Sequence, residues 1–187
     1  MLGTPRLLTF ALRAIVLIML ISILWVSVAR PYDEALVFLA QPLVPDSISM
    51  KALGSHIIID DSRLSLPLSI DGLTLHFGLI LMAALVLAAV GIGVAPRLGW
   101  LAAMGAGAFL MHVIGVALIA RGLTWASVAD SPDDSRRLVL SAFAVFWGLI
   151  PALIGGLWCF MYWLPRVSNA SQNGQQAENA PDVSASS

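Results

Sequence analysis

The sequence predicts an all-α membrane fold of four transmembrane helices, with a short interfacial helix and a small β-hairpin in the first loop outside the bilayer. Three observations lead there. Of 187 residues, 59% are hydrophobic and 11% charged, whereas an ordinary soluble domain carries about 25% charged residues. Leu73–Ala120 holds a single charged side chain, Arg97, inside the break Ala95-Pro96-Arg97-Leu98-Gly99. The apolar runs on either side have the ~20-residue length of a bilayer crossing at about 1.5 Å per residue. Between Arg30 and Asp71 the pattern changes, and Leu64-Ser65-Leu66-Pro67-Leu68-Ser69-Ile70 alternates with the period of a half-buried strand.

The first helix occupies residues 1–29 with its short N-terminus. Arg6 and Arg13 flank its start and Ala14–Val28 is its apolar heart. A positive flank, an apolar run and Ser27-Val28-Ala29 also describe a cleavable signal peptide. Counted from Leu7, the run exceeds the usual signal core of about 7–15 residues, which favours a retained helix.

Residues 30–72 form the loop outside the bilayer. Pro31 suits the first position of a helix and Asp33 and Glu34 suit its positive end. The expected result is a short interfacial helix that begins at Pro31, continues through the mostly apolar Ala35–Ala40, is stopped by Pro42 and Pro45 and lies on the membrane. A first helix that continues past Pro31 with a bend is the other reading. His56-Ile57-Ile58-Ile59 and the alternating run after Arg63 then make two strands, joined by turn chemistry at Asp60-Asp61-Ser62. Pro67 cannot donate to a ladder, which makes its strand an edge.

The second span is expected over 73–95 and the third over 98–120. Ala103, Gly105, Gly107, Ala108 and Gly115 in the third allow close helix approach. Arg121 and Trp125 mark an interface. A second loop, 121–137, ends in Ser131-Pro132-Asp133-Asp134, a helix start by its capping chemistry. The fourth span, 138–164, contains Pro151 as an expected kink, and Trp158, Tyr162 and Trp163 as an aromatic belt. Residues 167–187 have the composition of a disordered tail.

Four spans put both termini on one side. With the termini in the cytoplasm, four arginines lie inside (Arg6, Arg13, Arg97, Arg166). Six basic residues lie outside (Arg30, Lys51, Arg63, Arg121, Arg136, Arg137). The overall count opposes this orientation. The two arginines leading the first helix favour it, and the first helix often dominates. Cytoplasmic termini are therefore expected.

Candidate chemistry is sparse. A net charge of −1 gives nucleic acid no basic surface. His112, mid-way along the third helix, is a polar residue at bilayer depth and so the candidate intramembrane functional residue. The competing role is a neutral imidazole bonded to a neighbouring helix, and no acid in the spans pairs with it. His76 reads as an interfacial side chain. His56 with Asp60 and Asp61 could ligate a metal, but strand alternation separates them and Arg63 competes. Cys159 is alone, with no base beside it to form thiolate. Gly148, Ala152 and Gly156, four apart, form a candidate helix-packing stripe. The pattern offers no catalytic, cofactor or metal constellation.

Three features resemble the exosortase H-associated membrane protein family, small proteins found beside a bacterial transpeptidase-like enzyme that processes C-terminal sorting signals. They are the leading span followed by Pro31-Tyr32 and an Ala/Leu-rich short helix ending in Leu43; the run from Ile70-Asp71-Gly72-Leu73 through Ala88; and Phe146-Trp147-Gly148-Leu149-Ile150-Pro151 with the closing Trp163-Leu164-Pro165-Arg166. His112 stands where that family has other polar residues. The Cys, Arg and His set of the exosortases themselves is not reproduced. The resemblance implies a non-enzymatic accessory protein that supports an exosortase-like sorting enzyme or its substrates through the first loop and helix packing. The alternative is a small transporter or intramembrane enzyme using His112. Membrane lipid is the other expected partner.

Overall fold

The computed structural model describes residues 4–61, 67–127 and 134–166. Four helices carry a three-stranded antiparallel sheet at one end of the bundle. The expected cap at Ser131, the strand start at Leu64 and the tail 167–187 lie outside the described residues; Asp60 and Asp61, expected in the turn with Ser62, are instead the last residues of a strand, opposite Ser49 and Ile48.

Helix α1 runs unbroken from Thr4 to Ala40, 37 residues with Pro31 inside. This corrects the expected short interfacial helix. Pro31-Tyr32-Asp33-Glu34 is the interior of one long helix and not the start of a second. A proline in a helix removes one hydrogen bond and crowds the preceding turn. Contacts made by the two residues after it, described below, hold the axis. Only one stripe of α1 turns inward, including Ala14, Trp25, Tyr32, Asp33, Leu36 and Ala40. The remaining faces expose Leu8, Leu12, Met19, Ile23 and Val26.

A short 3-10 turn, Gln41–Leu43, leads into the sheet. Strands β1 (Ile48–Leu53), β2 (His56–Asp61) and β3 (Leu68–Asp71) follow in order. The expected pair, β2 with β3, is present with Ile57 opposite Ile70. The additional strand β1 joins β2 through Gly54-Ser55, with Leu53 opposite His56. Gly54 has φ of 62°, the left-handed conformation a two-residue hairpin loop demands and a β-carbon disfavours. Ile48, Met50, Ile57, Ile59 and Ile70 point inward, while Ser49, Lys51, His56, Asp60 and Ser69 point out. The inward set packs with Leu36 and Ala40 of α1, Leu75 of α2 and Val116, Ile119 and Ala120 of α3. The Gln41 side chain finishes the outer edge of β1. Its Nε2 donates to Ile48 O (2.8 Å) and its Oε1 accepts from Met50 N (2.9 Å).

Helix α2 covers Gly72–Ala88. Asp71 Oδ1 caps it by accepting from Leu73 N at 3.0 Å. It ends seven residues before the expected boundary at 95, in a turn where Gly91 has φ of 80°. Arg97 supplies what the end of α2 lacks: Nη1 donates to Leu87 O (3.1 Å), and Nε (2.8 Å) and Nη2 donate to Ile92 O. Leu87 O is one of the carbonyls a helix terminus leaves without partners, and Ile92 O lies in the turn that follows. Helix α3 spans Val94–Ser127, four residues earlier at its start than expected, because Pro96 sits in its first turn, where proline is tolerated. Helix α4 runs Asp134–Trp158 with Pro151 inside, then tightens into a π-helical turn at Cys159–Trp163.

Among the described residues, three helices are long and apolar enough to cross a membrane: Leu7–Leu43, Val94–Gly122 and Ala142–Arg166. The expected fourth, α2, has 17 residues, about 25 Å, short of the roughly 30 Å of a hydrocarbon core. It is the central helix, in contact with α1, α3 and α4. Its buried positions fall on every side: Leu75, Leu79, Ile80, Met82, Ala84, Val86 and Ala88.

Close packing around α2 and α3 rests on glycine. A β-carbon on Gly78 would overlap the Gly148 carbonyl of α4, and one on Gly155 would lie 2.9 Å from Met82 Cα. One on Gly115 would overlap the Trp147 indole, whose Nε1 donates to Met111 O at 2.7 Å. Gly156 would meet nothing within 4 Å. Gly115→Ala and Gly78→Ala should each destabilise the bundle by about 1–3 kcal/mol, through overpacking and, at Gly115, a lost hydrogen bond. Gly156→Ala should stay within about 0.5 kcal/mol. Thermal unfolding of the purified protein in detergent distinguishes the three.

Candidate functional site

The site is built on the two residues that follow the proline. One turn of α1 presents Tyr32 and Asp33 inward and leaves Arg30 and Glu34 outside. The outer two neutralise each other, Arg30 Nε donating to Glu34 Oε1 at 2.9 Å on an exposed face. Such a pair contributes little stability. Asp33 is 0% exposed. Its Oδ1 accepts from His76 Nε2 of α2 at 2.9 Å, and His76 is itself buried. Burying a carboxylate is costly unless it is paired and hydrogen-bonded, so this contact fixes the approach of α1 to α2.

Tyr32 makes the matching link to α3. Its Oη and His112 Nδ1 share a hydrogen bond of 2.8 Å, and His112 is 0% exposed. Aromatic rings enclose both pairs. Trp25 lies 5.4 Å from the His76 ring and 5.7 Å from Tyr32, Tyr32 meets His76 edge-on at 5.3 Å, and Phe109 stands 5.2 Å from Tyr32. Three further buried atoms of this layer, Asp33 Oδ2, His112 Nε2 and Trp25 Nε1, make no hydrogen bond.

The layer lies between two apolar clusters. One joins the sheet to the adjacent helix ends, the other packs α2 against the far halves of α3 and α4, and Tyr32 touches both. Gly72 closes the layer on the sheet side. Its N donates to Ser55 O at 2.7 Å. A β-carbon there would sit 2.9 Å from Ser55 O, 3.0 Å from Asp33 Oδ2 and 3.3 Å from His76 Cε1. The β1–β2 hairpin, the start of α2 and the buried pair therefore pack onto one glycine.

The expected candidates distribute as follows. His112 belongs to the layer, bonded to the α1 tyrosine and not to a backbone carbonyl. His76, read as interfacial, is a core residue of the same layer. Gly148 is buried with its carbonyl against Gly78, Ala152 is half-buried and Gly156 is exposed. Gly155 is the residue that meets α2. His56 and Asp60 share the solvent-facing side of the sheet, while Asp61 faces inward. Among the described residues, no group of three His, Cys, Asp or Glu is placed to hold a metal ion. The Cys159 thiol donates to Leu85 O at 3.9 Å.

Sequence reasoning missed Asp33 and Tyr32. A signal was present: Ala29, Asp33, Leu36 and Ala40 fall on one stripe at helical spacing, an acid in line with residues that otherwise suit a core. Arg30 and Glu34 lie four apart and pair, leaving Asp33 without a local counterion. Compared with protein-family models, curated proteins and solved structures, the chain matches none.

Two substitutions test the layer. Leaving a buried hydrogen-bonding group without its partner costs about 1–3 kcal/mol, so Asp33→Ala should lower the unfolding midpoint far more than Glu34→Ala, whose partner is exposed. Equal effects would show that the Asp33 contact does not hold the bundle. Gly72→Ala should destabilise by about 1–3 kcal/mol through overpacking, with increased proteolysis of the sheet as a second readout.

Proposed function

We propose that this chain is a non-enzymatic integral membrane accessory protein of the bacterial inner membrane, supporting an exosortase-like protein-sorting system through its sheet-bearing end. The observation that carries the reading is how the buried polar groups are engaged. Asp33–His76 joins α1 to α2, Tyr32–His112 joins α1 to α3, Trp147 Nε1 to Met111 O joins α4 to α3, and Trp163 Nε1 to Val90 O (2.7 Å) joins the end of α4 to the turn after α2. Each contact braces one element on another. Together they brace the helices on one another; the sheet is seated on that bundle by its inward isoleucines and Met50 and by Gly72 N donating to Ser55 O, with its polar side facing away. That is an arrangement for presenting a surface.

In this reading α2 and the turn after it complete a fourth crossing inside a ring of three longer helices. A helix shielded from lipid by its neighbours need not match the bilayer thickness itself. Four crossings put both termini on one side, which this reading takes as the cytoplasm, with the sheet outside. The resemblance to the exosortase H-associated proteins supplies the partner system.

A second reading, a small transporter or intramembrane enzyme using His112, draws on the acid that lies in the same layer. His112→Gln discriminates. A transporter or enzyme should lose its phenotype in that variant at normal protein level, whereas an accessory protein should retain partner binding.

Affinity purification from native membranes in mild detergent, tagged at the C-terminal end and read by mass spectrometry, tests the main reading. A membrane-embedded processing enzyme or its sorted substrates should co-elute, and Lys51→Glu with His56→Glu on the outer face should reduce their recovery several-fold. An eluate free of such proteins after crosslinking removes the accessory role.

A further inference from the structure

We propose that the end of the bundle opposite the sheet is a binding surface for the headgroups of anionic phospholipids, anchored on Arg166. This end is separate from the sheet, and its chemistry is the same whatever partner the sheet serves. Charge is divided unevenly along the chain. Asp and Glu occur only within residues 33–71, within 130–134 and at positions 178 and 182. The segments that meet at the far end are the start of α1, the turn between α2 and α3, and the close of α4. They carry Arg6, Arg13, Arg97 and Arg166 and no acid. Three contacts bring these segments to one level. Phe10 stacks on Trp163 at 4.3 Å, Trp163 Nε1 donates to Val90 O, and Trp100 meets Tyr162 edge-on at 5.1 Å. Four positive charges without a neighbouring carboxylate in sequence therefore gather at one end of the bundle.

One of these arginines is built into the fold. Helix α4 closes through the π-helical turn Cys159–Trp163, a rare geometry that recurs at functional sites. This turn and the residues on either side of it form a column. Trp158 stacks on Tyr162 with ring centroids 5.3 Å apart, and the Arg166 guanidinium carbon sits 3.7 Å from the Tyr162 centroid. Trp100 of α3 flanks the column, 6.2 Å from Trp158. Trp158 and Trp163 are buried, whereas Arg166 is exposed. An aromatic face attracts a cation without neutralising it. Arg166 is thus held in place while its charge remains available to an anion. Arg97 hydrogen-bonds only to carbonyls, Leu87 O and Ile92 O, which leave its charge uncancelled. Arg13 is exposed one turn from Phe10 on α1, within reach of the same level by its long side chain.

The surroundings select the ligand. Leu7–Leu43, Val94–Gly122 and Ala142–Arg166, the three helices long and apolar enough to cross a membrane, each have one end here. Trp and Tyr at the end of a span settle at the level of the lipid headgroups, so phosphate is the anion that this column meets. A guanidinium presents N–H donors in one plane, at the spacing of phosphate oxygens. Each basic residue beside an anionic membrane surface strengthens the attraction by about fivefold. A zwitterionic headgroup carries its own cation next to the phosphate and gains no such advantage. The anionic leaflet of a cell membrane is the cytoplasmic one, so this end belongs on that side.

Native mass spectrometry of the full-length protein in a neutral detergent, titrated with dioleoyl phosphatidylglycerol or dioleoyl phosphatidylcholine, tests this. The first phosphatidylglycerol should bind at least about fivefold more tightly than phosphatidylcholine. Arg166→Gln should weaken phosphatidylglycerol binding by about fivefold and leave phosphatidylcholine unchanged. Tyr162→Leu removes the ring and keeps the cation, and should weaken it by about two- to fivefold. Arg30→Gln removes an exposed cation at the sheet end and should change neither. Arg166→Lys should retain the preference that Arg166→Gln loses, which separates lost charge from lost fold. Equal affinity for the two lipids overturns the proposal. So does a preference that survives Arg166→Gln or falls as far with Arg30→Gln. Displacement of bound phosphatidylglycerol by millimolar inorganic phosphate also overturns it, because the surface then takes free phosphate and not a lipid.

Discussion

A carboxylate held at the centre of an apolar bundle is the constraint on which the rest of this structure depends. Asp33 has no access to solvent, so its carboxylate depends on the protein, and His76 meets one of its two oxygens. That requirement brings α2 to α1 at one level along the axis. It keeps the first helix continuous through a proline that on its own favours a bend. It also forbids a side chain at position 72, where hairpin, helix start and carboxylate converge. The tyrosine–histidine contact beside it extends the same constraint to α3.

Away from that layer, contact between helices depends on what is missing from their surfaces. Where Gly78, Gly115 and Gly155 leave out a side chain, a carbonyl, an indole and a backbone move in. The two indoles that donate to carbonyls, Trp147 and Trp163, bridge elements that apolar contact alone would leave free to slide. Burial on all sides of α2 fits this arrangement. A helix enclosed by three others takes its length from the layer above and the turn below.

Much of the architecture was legible from residue pattern. The bundle, the break around Arg97 and the pairing of β2 with β3 all follow from local chemistry: apolar runs, proline position and alternation. Strand β1 was legible in principle, since Ile48-Ser49-Met50-Lys51 alternates as clearly as the run after Arg63, but neighbouring prolines directed attention to turns. The path of α1 is legible only as the weaker of two readings, a first helix that continues past Pro31. The chemistry of Pro31-Tyr32-Asp33-Glu34 is that of a helix start. What overrides it lies 43 and 80 residues further along the chain, at His76 and His112. His112 stood out because a lone polar residue in an apolar run is conspicuous. Asp33 did not, because it sits among charged neighbours and only the three-dimensional structure separates it from them.

The Gln41 amide has a consequence for the company this protein keeps. An exposed strand edge carries unpaired donors and acceptors that another chain can adopt, the first step of runaway association. Here one side chain imitates a neighbouring strand, offering β1 an acceptor and a donor at the spacing of a peptide unit. A single residue of the chain thus closes that edge from within, and a foreign strand could enter there only by displacing it. Crowding many copies into one patch of membrane then carries less risk of their sheets fusing through β1, so the molecule can be abundant and still remain separate.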